Sequence, residues 1–171
     1  MRRRTLLAAA AWPVALRAQP AATVLLLRHA QTDPGVGDPP GFVLGQCRTQ
    51  RNLSDAGREQ ARKLGAALSA RGLAPQRVRS SRWCRCLDTA RLAFGSVEAW
   101  PALDSFFDDR DRADAQTTEL RRALAALPGG RVEAWVTHQV NISALTGGAA
   151  AMGEVLLLRG GEIIERIKTE S

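Results

Sequence analysis

The chain contains two histidines, and each lies directly after a run of apolar residues. His29 follows Arg28 at the end of "VLLLRH", and His138 ends "EAWVTH". Consecutive apolar residues without alternation are typical of a buried parallel strand. In an open α/β sheet, ligands bind beyond the carboxyl ends of the strands. We therefore expect both imidazoles to lie in one crevice and to act on a ligand there.

A third polar cluster follows the short strand predicted at "RVRSS", where a helix is expected to begin near Arg82. Arg85 lies in the first turns of this helix. Helix N-termini attract phosphate through free N–H groups and the helix dipole, and an arginine adds a bidentate grip. A solvated helix charge is the alternative for Arg85. With the two histidines, however, Arg85 favours a site that holds phosphate beside a nucleophile.

The elements that would position these residues alternate between strand and helix. Helices are predicted from Ser54, from Arg82 and over residues 117–127, with strands between them. The final segment "EVLLLRGGEIIERI" has a turn signal at Gly160-Gly161 and predicts a hairpin. The pattern predicts one α/β domain, a three-layer α/β/α sandwich around a mainly parallel sheet with a C-terminal hairpin.

Four segments follow one another along the chain and cover most of residues 23–142: "LLLRHAQT", "LSDAGREQARKLG", "SSRWCRCLDTA" and "WVTHQ". Together and in this order they resemble the histidine phosphatase superfamily, also called the phosphoglycerate-mutase-like family. They are similar to the family's Arg-His-Gly signature, its Leu-Ser/Thr…Gly…Gln-Ala helix, its Ser-Ser…Arg…Thr-Ala segment and its second histidine. The resemblance implies a histidine phosphatase domain over residues 19–171, with the same α/β sandwich.

The resemblance also implies a role for four residues. His29 matches the nucleophile that becomes phosphorylated, while Arg28, Arg85 and His138 match groups that hold the phosphoryl oxygens. Neutral His29 attacks phosphorus, dispersed positive charge stabilises the equatorial oxygens, and water hydrolyses the phosphohistidine. The implied enzyme is a phosphoric monoester hydrolase with no metal and no other cofactor. Mutase activity is disfavoured because the short chain lacks the extra segments typical of mutases.

Two features depart from the family pattern. Ala30 stands where the family most often has glycine. The proton donor for the leaving oxygen has no clear counterpart, because Ser105 and Gln139 stand where members of two branches carry an acid. Possible donors are the carboxylates of an acidic loop, Asp104, Asp108 and Asp109, and the spacing of the sequence does not decide among them. Asp33 and Asp38, in the loop after the nucleophile, are further options. Protonation by water or by the substrate is the alternative.

A Pro- and Gly-rich loop over residues 34–52 directly follows the nucleophile, so substrate specificity is expected there. Arg48 and Arg51 in this loop are candidates for contact with the phosphate or with a second anionic group of the substrate. A loop that only covers the sheet edge is the alternative.

The N-terminal residues have the organisation of a secretory signal peptide. Three arginines precede an apolar stretch from Thr5 to Leu16, which is short for a membrane span, and small residues follow around Ala18. We expect residues 1–18 to be a signal peptide that directs export by the Sec or the twin-arginine route. Its removal would leave a periplasmic or secreted protein with no stable membrane span.

Export has consequences for charge and for cysteines. Loss of four arginines and no acidic residue lowers the net charge from +7 to +3, which does not indicate a nucleic-acid partner. The expected partner is a phosphorylated small molecule or glycan. An oxidising compartment allows one disulfide, which would join Cys47 to Cys84 or to Cys86.

Other classes of phosphatase fit the sequence poorly. A thiol phosphatase requires an arginine six residues after its cysteine, and those positions hold Leu53, Ala90 and Leu92. The acidic pair within residues 109–111 lies in a polar loop rather than after a strand, which disfavours an aspartyl-phosphate mechanism. A zinc hydrolase requires three converging protein ligands, for which two histidines and a Cys-x-Cys are a poor set.

Two functions remain open at this point. One is an exported phosphatase that acts on an envelope substrate, for example a sugar phosphate of lipopolysaccharide. The other is a non-catalytic exported module that binds phosphorylated ligands in the same pocket. The first requires an in-line nucleophile, which His29 supplies, whereas simple binding does not.

Overall fold

The computed structural model describes residues 20–168, so the predicted signal peptide lies outside the described residues. Within them, six strands form one sheet: β1 (Thr23–Arg28), β2 (Arg77–Ser80), β3 (Glu98–Ala99), β4 (Val132–Thr137), β5 (Val155–Arg159) and β6 (Glu162–Ile167). The strand order is β3-β2-β4-β1-β5-β6. The first four strands pair in parallel, and β5 and β6 are antiparallel. The predicted mainly parallel sheet is confirmed.

Four α-helices cover both faces of this sheet: α1 (Asp55–Ala70), α2 (Cys84–Phe94), α3 (Ala113–Ala126) and α4 (Gln139–Thr146). Alternate residues of β1 point to opposite faces, as strand geometry requires. Leu25 and Leu27 pack with residues of α1 and α2, whereas Val24 and Leu26 pack with residues of α3 and α4. Burial of both faces explains the unbroken apolar run of β1 and confirms the three-layer sandwich.

The start of α1 packs against the segment that follows His29. Ser54 caps the helix, because its hydroxyl accepts the backbone N–H of Gly57 at 3.1 Å. A Cβ at Gly57 would lie 1.8 Å from the Gln31 carbonyl oxygen, so no larger residue fits there. Glycine at this position allows a helix to approach the chain immediately after the predicted nucleophile.

The C-terminal hairpin is confirmed, and its turn lies at Gly160 and Gly161 with φ of 57° and 88°. The predicted elements differ from the structure at helix boundaries, at α4 and at three short 3-10 helices in predicted loops, Cys47–Thr49, Pro101–Leu103 and Arg110–Arg112. The helix α3 begins at Ala113 rather than near residue 117. The helix α4 was not predicted, because its sequence QVNISALT is short and contains several β-branched residues.

The cysteine pairing that the sequence left open is Cys47 with Cys84, and Cys86 is free and buried. Burial raises the pKa of the Cys86 thiol to about 12. The disulfide joins the loop after β1 to the first residue of α2. Across residues 20–168, no helix is long and apolar enough to cross a bilayer.

Candidate active site

Three adjacent parallel strands carry the polar residues to one edge of the sheet. His29 follows β1, His138 follows β4, and Ser81 follows β2. The His29 amide donates to the Thr137 carbonyl at 3.0 Å, which aligns the ends of β1 and β4. The sequence predicted one crevice for the two imidazoles, and their ring centroids are 5.5 Å apart.

A cavity of about 320 Å³ opens at this edge. Its lining includes three arginines and both histidines: Arg28, Arg51, Arg85, His29 and His138. Apolar side chains also line it, and among them Val36 is 88% exposed and Phe107 is 43% exposed. The cavity therefore combines one buried and two half-buried guanidinium groups with exposed apolar side chains.

His29 is 3% exposed and has one ring nitrogen engaged by the backbone. Nδ1 lies 2.9 Å from the Ala30 carbonyl oxygen, so Nδ1 carries the hydrogen and donates it. This tautomer leaves Nε2 unprotonated. Burial, followed by the charges of Arg85 and Arg28, lowers the pKa of His29 to about 3, although the hydrogen bond to the Ala30 carbonyl acts in the opposite direction. The imidazole is therefore neutral and nucleophilic at neutral pH.

Ala30 replaces the usual glycine without strain. It is fully buried against Leu53 and Ala61, and its amide donates to the Thr89 hydroxyl at 3.0 Å. No non-glycine residue between 20 and 168 has a positive φ, so the backbone at this position does not require glycine.

His138 is oriented by a chain of polar groups. Its Nδ1 lies 3.5 Å from Arg85 Nη2, which can only donate, so Nδ1 is the acceptor. Nε2 then carries the hydrogen and donates to the Ser81 hydroxyl at 2.8 Å. That hydroxyl is 3.4 Å from Asp104 Oδ1. Burial, followed by the charge of Arg85, lowers the pKa of His138 well below its ordinary value.

Two arginines are held by backbone and side-chain oxygens. Arg28 Nη1 donates to the Ala150 carbonyl at 2.8 Å and to Gln139 Oε1 at 3.4 Å. Arg51 Nε donates to the Gly37 carbonyl at 2.8 Å. Burial lowers the pKa of both guanidinium groups, and repulsion between neighbouring arginines lowers it further. These mutually repelling cations favour an anionic ligand between them.

Arg85 forms a bidentate ion pair with Asp38. Nη1 lies 2.7 Å from Asp38 Oδ1, Nη2 lies 3.1 Å from Oδ2, and both side chains are 4% exposed. Burial alone would raise the pKa of Asp38, but hydrogen bonds from Arg85 and from the Arg51 amide outweigh burial and lower it. Asp38 is thus an ionised ligand of Arg85 in this structure.

The remaining carboxylates differ in their access to the cavity. Asp108 lines it, as does Ser105. Asp104 is fully buried and paired with Arg82, whose Nε lies 2.7 Å from Oδ2, and it does not line the cavity. Asp33 and Asp109 are exposed and lie outside the lining.

Two further expectations concern Arg48 and metal binding. Arg48 is exposed and is not part of the cavity lining, whereas Arg51 is. In the part of the chain that the structure describes, no group of three or more His, Cys, Asp or Glu residues could hold a metal ion.

Residues 24–139 match the family model of the histidine phosphatase superfamily (branch 1). The match covers more than half of the chain, which therefore belongs to the histidine phosphatase superfamily. The prediction of a phosphatase enzyme is confirmed at this level. No curated protein matches the sequence.

Solved structures with the same fold include phosphoglycerate mutase from Thermus thermophilus, with 19% identity and a TM-score of 0.61. That alignment covers 86% of this chain and 99% of the mutase. A protein from Agrobacterium tumefaciens, provisionally described as the phosphohistidine phosphatase SixA, has 18% identity and a TM-score of 0.61. It is aligned over 88% of this chain and 99% of its own. At these identities the likeness shows the fold.

Proposed function

We propose that this protein hydrolyses phosphate monoesters by transferring the phosphoryl group to Nε2 of His29. The observation that carries the proposal is the tautomer of His29, because the Nδ1 hydrogen bond to Ala30 leaves Nε2 free and unprotonated. The guanidinium groups of Arg28, Arg51 and Arg85 supply the positive charge that phosphoryl transfer requires. The reaction therefore does not require a metal ion.

The proposed reaction has two balanced steps. Nε2 attacks phosphorus, the bond to the leaving oxygen breaks, and that oxygen takes up a proton. Water then attacks phosphorus and gives up a proton, the bond between phosphorus and His29 Nε2 breaks, and orthophosphate and the free imidazole are released. Asp108 is the proposed group that gives and regains this proton, since it lines the cavity while Asp104 is held by Arg82.

His138 and Arg28 are proposed to hold the phosphoryl oxygens together with Arg85. The neutral, buried state of His138 does not oppose this role, because a phosphoryl dianion nearby favours the imidazolium. Gln139 cannot donate a proton as an acid. Its Oε1 instead accepts from Arg28 Nη1 and from the Ala150 amide at 3.0 Å, which supports a role in positioning Arg28.

The proposed substrate is a phosphorylated small molecule or glycan outside the cytoplasm. The predicted signal peptide supports this localisation, and so does the Cys47–Cys84 disulfide, because disulfides persist in oxidising compartments. A sugar phosphate of lipopolysaccharide is one such substrate. The exposed apolar side chains of Val36 and Phe107 at the cavity support a leaving group that carries apolar surface as well.

Hydrolysis of an aryl phosphate in EDTA, from about pH 4 to about pH 8, tests the proposal. The wild-type protein and the His29→Ala variant are compared, with Ile164→Ser as a control substitution at an exposed residue outside the cavity lining. We expect turnover that survives EDTA, is unchanged in the control and is lost in His29→Ala. Binding of orthophosphate without any turnover of aryl or sugar phosphates would instead support the non-catalytic binding module.

A further inference from the structure

We propose that Asp38 is an internal competitor for the phosphoryl site, and that a phosphoryl group binds by displacing its carboxylate from Arg85. The inference deepens the proposed function, on which it rests for the identity of the ligand. It concerns a residue whose position the loop sequence did not reveal. Four observations carry it: the donors of Arg85, the donors around Asp38, the construction of the loop and the charge of the site.

The N–H groups of Arg85 are all unavailable to a ligand. Nη1 donates to Asp38 Oδ1 and, at 3.2 Å, to the Arg51 carbonyl. Nη2 donates to Asp38 Oδ2 and to His138 Nδ1. The remaining group, Nε, is buried and without a partner. Arg85 therefore cannot donate hydrogen bonds to a phosphoryl group while the Asp38 carboxylate stays in place.

The hydrogen-bond donors around Asp38 form an anion-binding site. Besides the two Arg85 nitrogens, Trp83 Nε1 donates to Oδ2 at 2.9 Å and the Arg51 amide donates to Oδ1 at 2.9 Å. Four N–H groups from three residues thus converge on two carboxylate oxygens. A phosphoryl group also has anionic oxygens that accept hydrogen bonds. The N–H groups that donate to Asp38 can therefore donate to a phosphoryl group once the carboxylate has left.

The two ends of the loop are anchored differently, although hydrogen bonds from Arg51 to the Gly37 carbonyl and to Asp38 connect them. Val36 is 88% exposed, and its neighbours Gly35 and Gly37 have φ of 137° and 70°. Further along the loop, Cys47 is bonded to Cys84 at the start of α2. The tip therefore has flexible glycine positions and little packing, whereas the segment leading to Arg51 is tied to the helix that carries Arg85.

The charge of the site favours the exchange. Arg28, Arg51 and Arg85 contribute three positive charges, and Asp38 neutralises one of them. A phosphoryl dianion that replaces the carboxylate restores a closer balance. The ion pair between Asp38 and Arg85 must break before phosphate binds. The affinity for phosphate is therefore lower than it would be for the same N–H donors without the Asp38 carboxylate.

Removal of the Asp38 charge tests the proposal directly. Orthophosphate binding is measured by calorimetry for the wild type, Asp38→Asn and Asp38→Ala. The control is Asp88→Asn, which removes the same charge from α2 at a half-buried residue paired with Arg58 and Arg91. We expect both Asp38 variants to bind orthophosphate more tightly, by about tenfold or more, and the control to bind like the wild type. Equal or weaker binding by the Asp38 variants would overturn the proposal.

A second measurement uses the wild-type protein, in case the Asp38 variants do not fold. The indole N–H of Trp83 donates to Asp38, whereas that of Trp100 donates to Glu119 and that of Trp135 to Glu133. Orthophosphate should therefore shift the Trp83 indole resonance and leave those of Trp100 and Trp135 in place. Saturation with orthophosphate that leaves the Trp83 resonance unchanged would contradict displacement of Asp38.

The two proposals fail in different ways. If the Asp38 variants bind orthophosphate more tightly but no phosphate ester is turned over, the competitor role stands and the phosphatase function fails. If His29-dependent turnover is present while Asp38→Asn leaves orthophosphate affinity unchanged, the phosphatase function stands and the competitor role fails.

Discussion

His29 and His138 remain neutral beside three guanidinium groups because burial removes the water that would stabilise an imidazolium. For His29 this neutrality is useful chemistry, since only an unprotonated nitrogen attacks phosphorus. The Nδ1 hydrogen bond to the Ala30 carbonyl leaves Nε2 as the nitrogen that is available for the proposed attack. One backbone carbonyl and one buried position thus define the proposed nucleophile.

The protonation states can be measured by NMR, because the two histidines of the chain give two sets of ring resonances. We expect neither ring to titrate between about pH 5 and about pH 8 in the phosphate-free protein. In urea, where burial is lost, both should titrate near the ordinary value of 6.5. A midpoint near 6.5 for either ring of the folded protein would contradict the account of the site.

At the residue scale, the sequence predicts the site in part. His29, His138 and Arg85 could be predicted because each follows a recognisable strand or begins a helix. The ion pair of Asp38 with Arg85 could not, because a Pro- and Gly-rich loop has no periodicity from which its path follows. Arg48 and Arg51 lie three residues apart in this loop, yet only Arg51 lines the cavity.

At the scale of elements, the Cys47–Cys84 disulfide joins the loop after β1 to α2. It lies next to Arg85 along the chain and holds the end of the loop from which Arg51 reaches the cavity. Cys86, two residues further, is free and buried, and burial raises the pKa of its thiol. Loop and helix therefore form one unit at the site.

Loss of this disulfide should lower the stability of the protein. The bonded cysteines are 37 residues apart, and Cys47→Ser is expected to lower the free energy of unfolding by about 4 kcal/mol. Urea unfolding with and without a reductant measures this. The reductant should destabilise the wild type and have no effect on Cys47→Ser. Equal unfolding midpoints for the reduced and oxidised wild type would show that the disulfide contributes nothing.

The helices and strands differ in how far their sequences define them. The helix α1 was predictable from its N-cap Ser54 and its apolar stripe, and the β5–β6 hairpin from its two glycines. The helix α4 was not, although Gly147 marks its end with a φ of 72°. Packing of Ile142 into the core stabilises this short helix despite its low propensity, and packing is not visible in a local pattern.

At the scale of the whole molecule, the buried neutral histidines couple stability to pH. Their pKa values are lowered on folding, so below pH 6.5 the unfolded chain binds more protons than the native protein. Stability therefore falls as the pH decreases from 6.5. The lowered pKa of Asp38 acts separately, since its contribution is lost only as the pH falls below the ordinary value of 3.8.

Urea unfolding between about pH 7 and about pH 5 should show this coupling, with a slope approaching 1.4 kcal/mol per pH unit for each buried histidine. His29→Ala removes one of the two and should show a shallower slope. A free energy of unfolding that does not change over this range would contradict burial of two neutral imidazoles.

Trapping of the phosphoenzyme determines whether the phosphoryl group is transferred to His29. The protein is mixed with an aryl phosphate in EDTA and quenched in base, and its peptides are then mapped by mass spectrometry. We expect one phosphoryl group, located on His29, and neither phosphoenzyme nor turnover in His29→Ala. A phosphoryl group on His138 or on any other residue, or undiminished turnover by His29→Ala, would contradict this expectation.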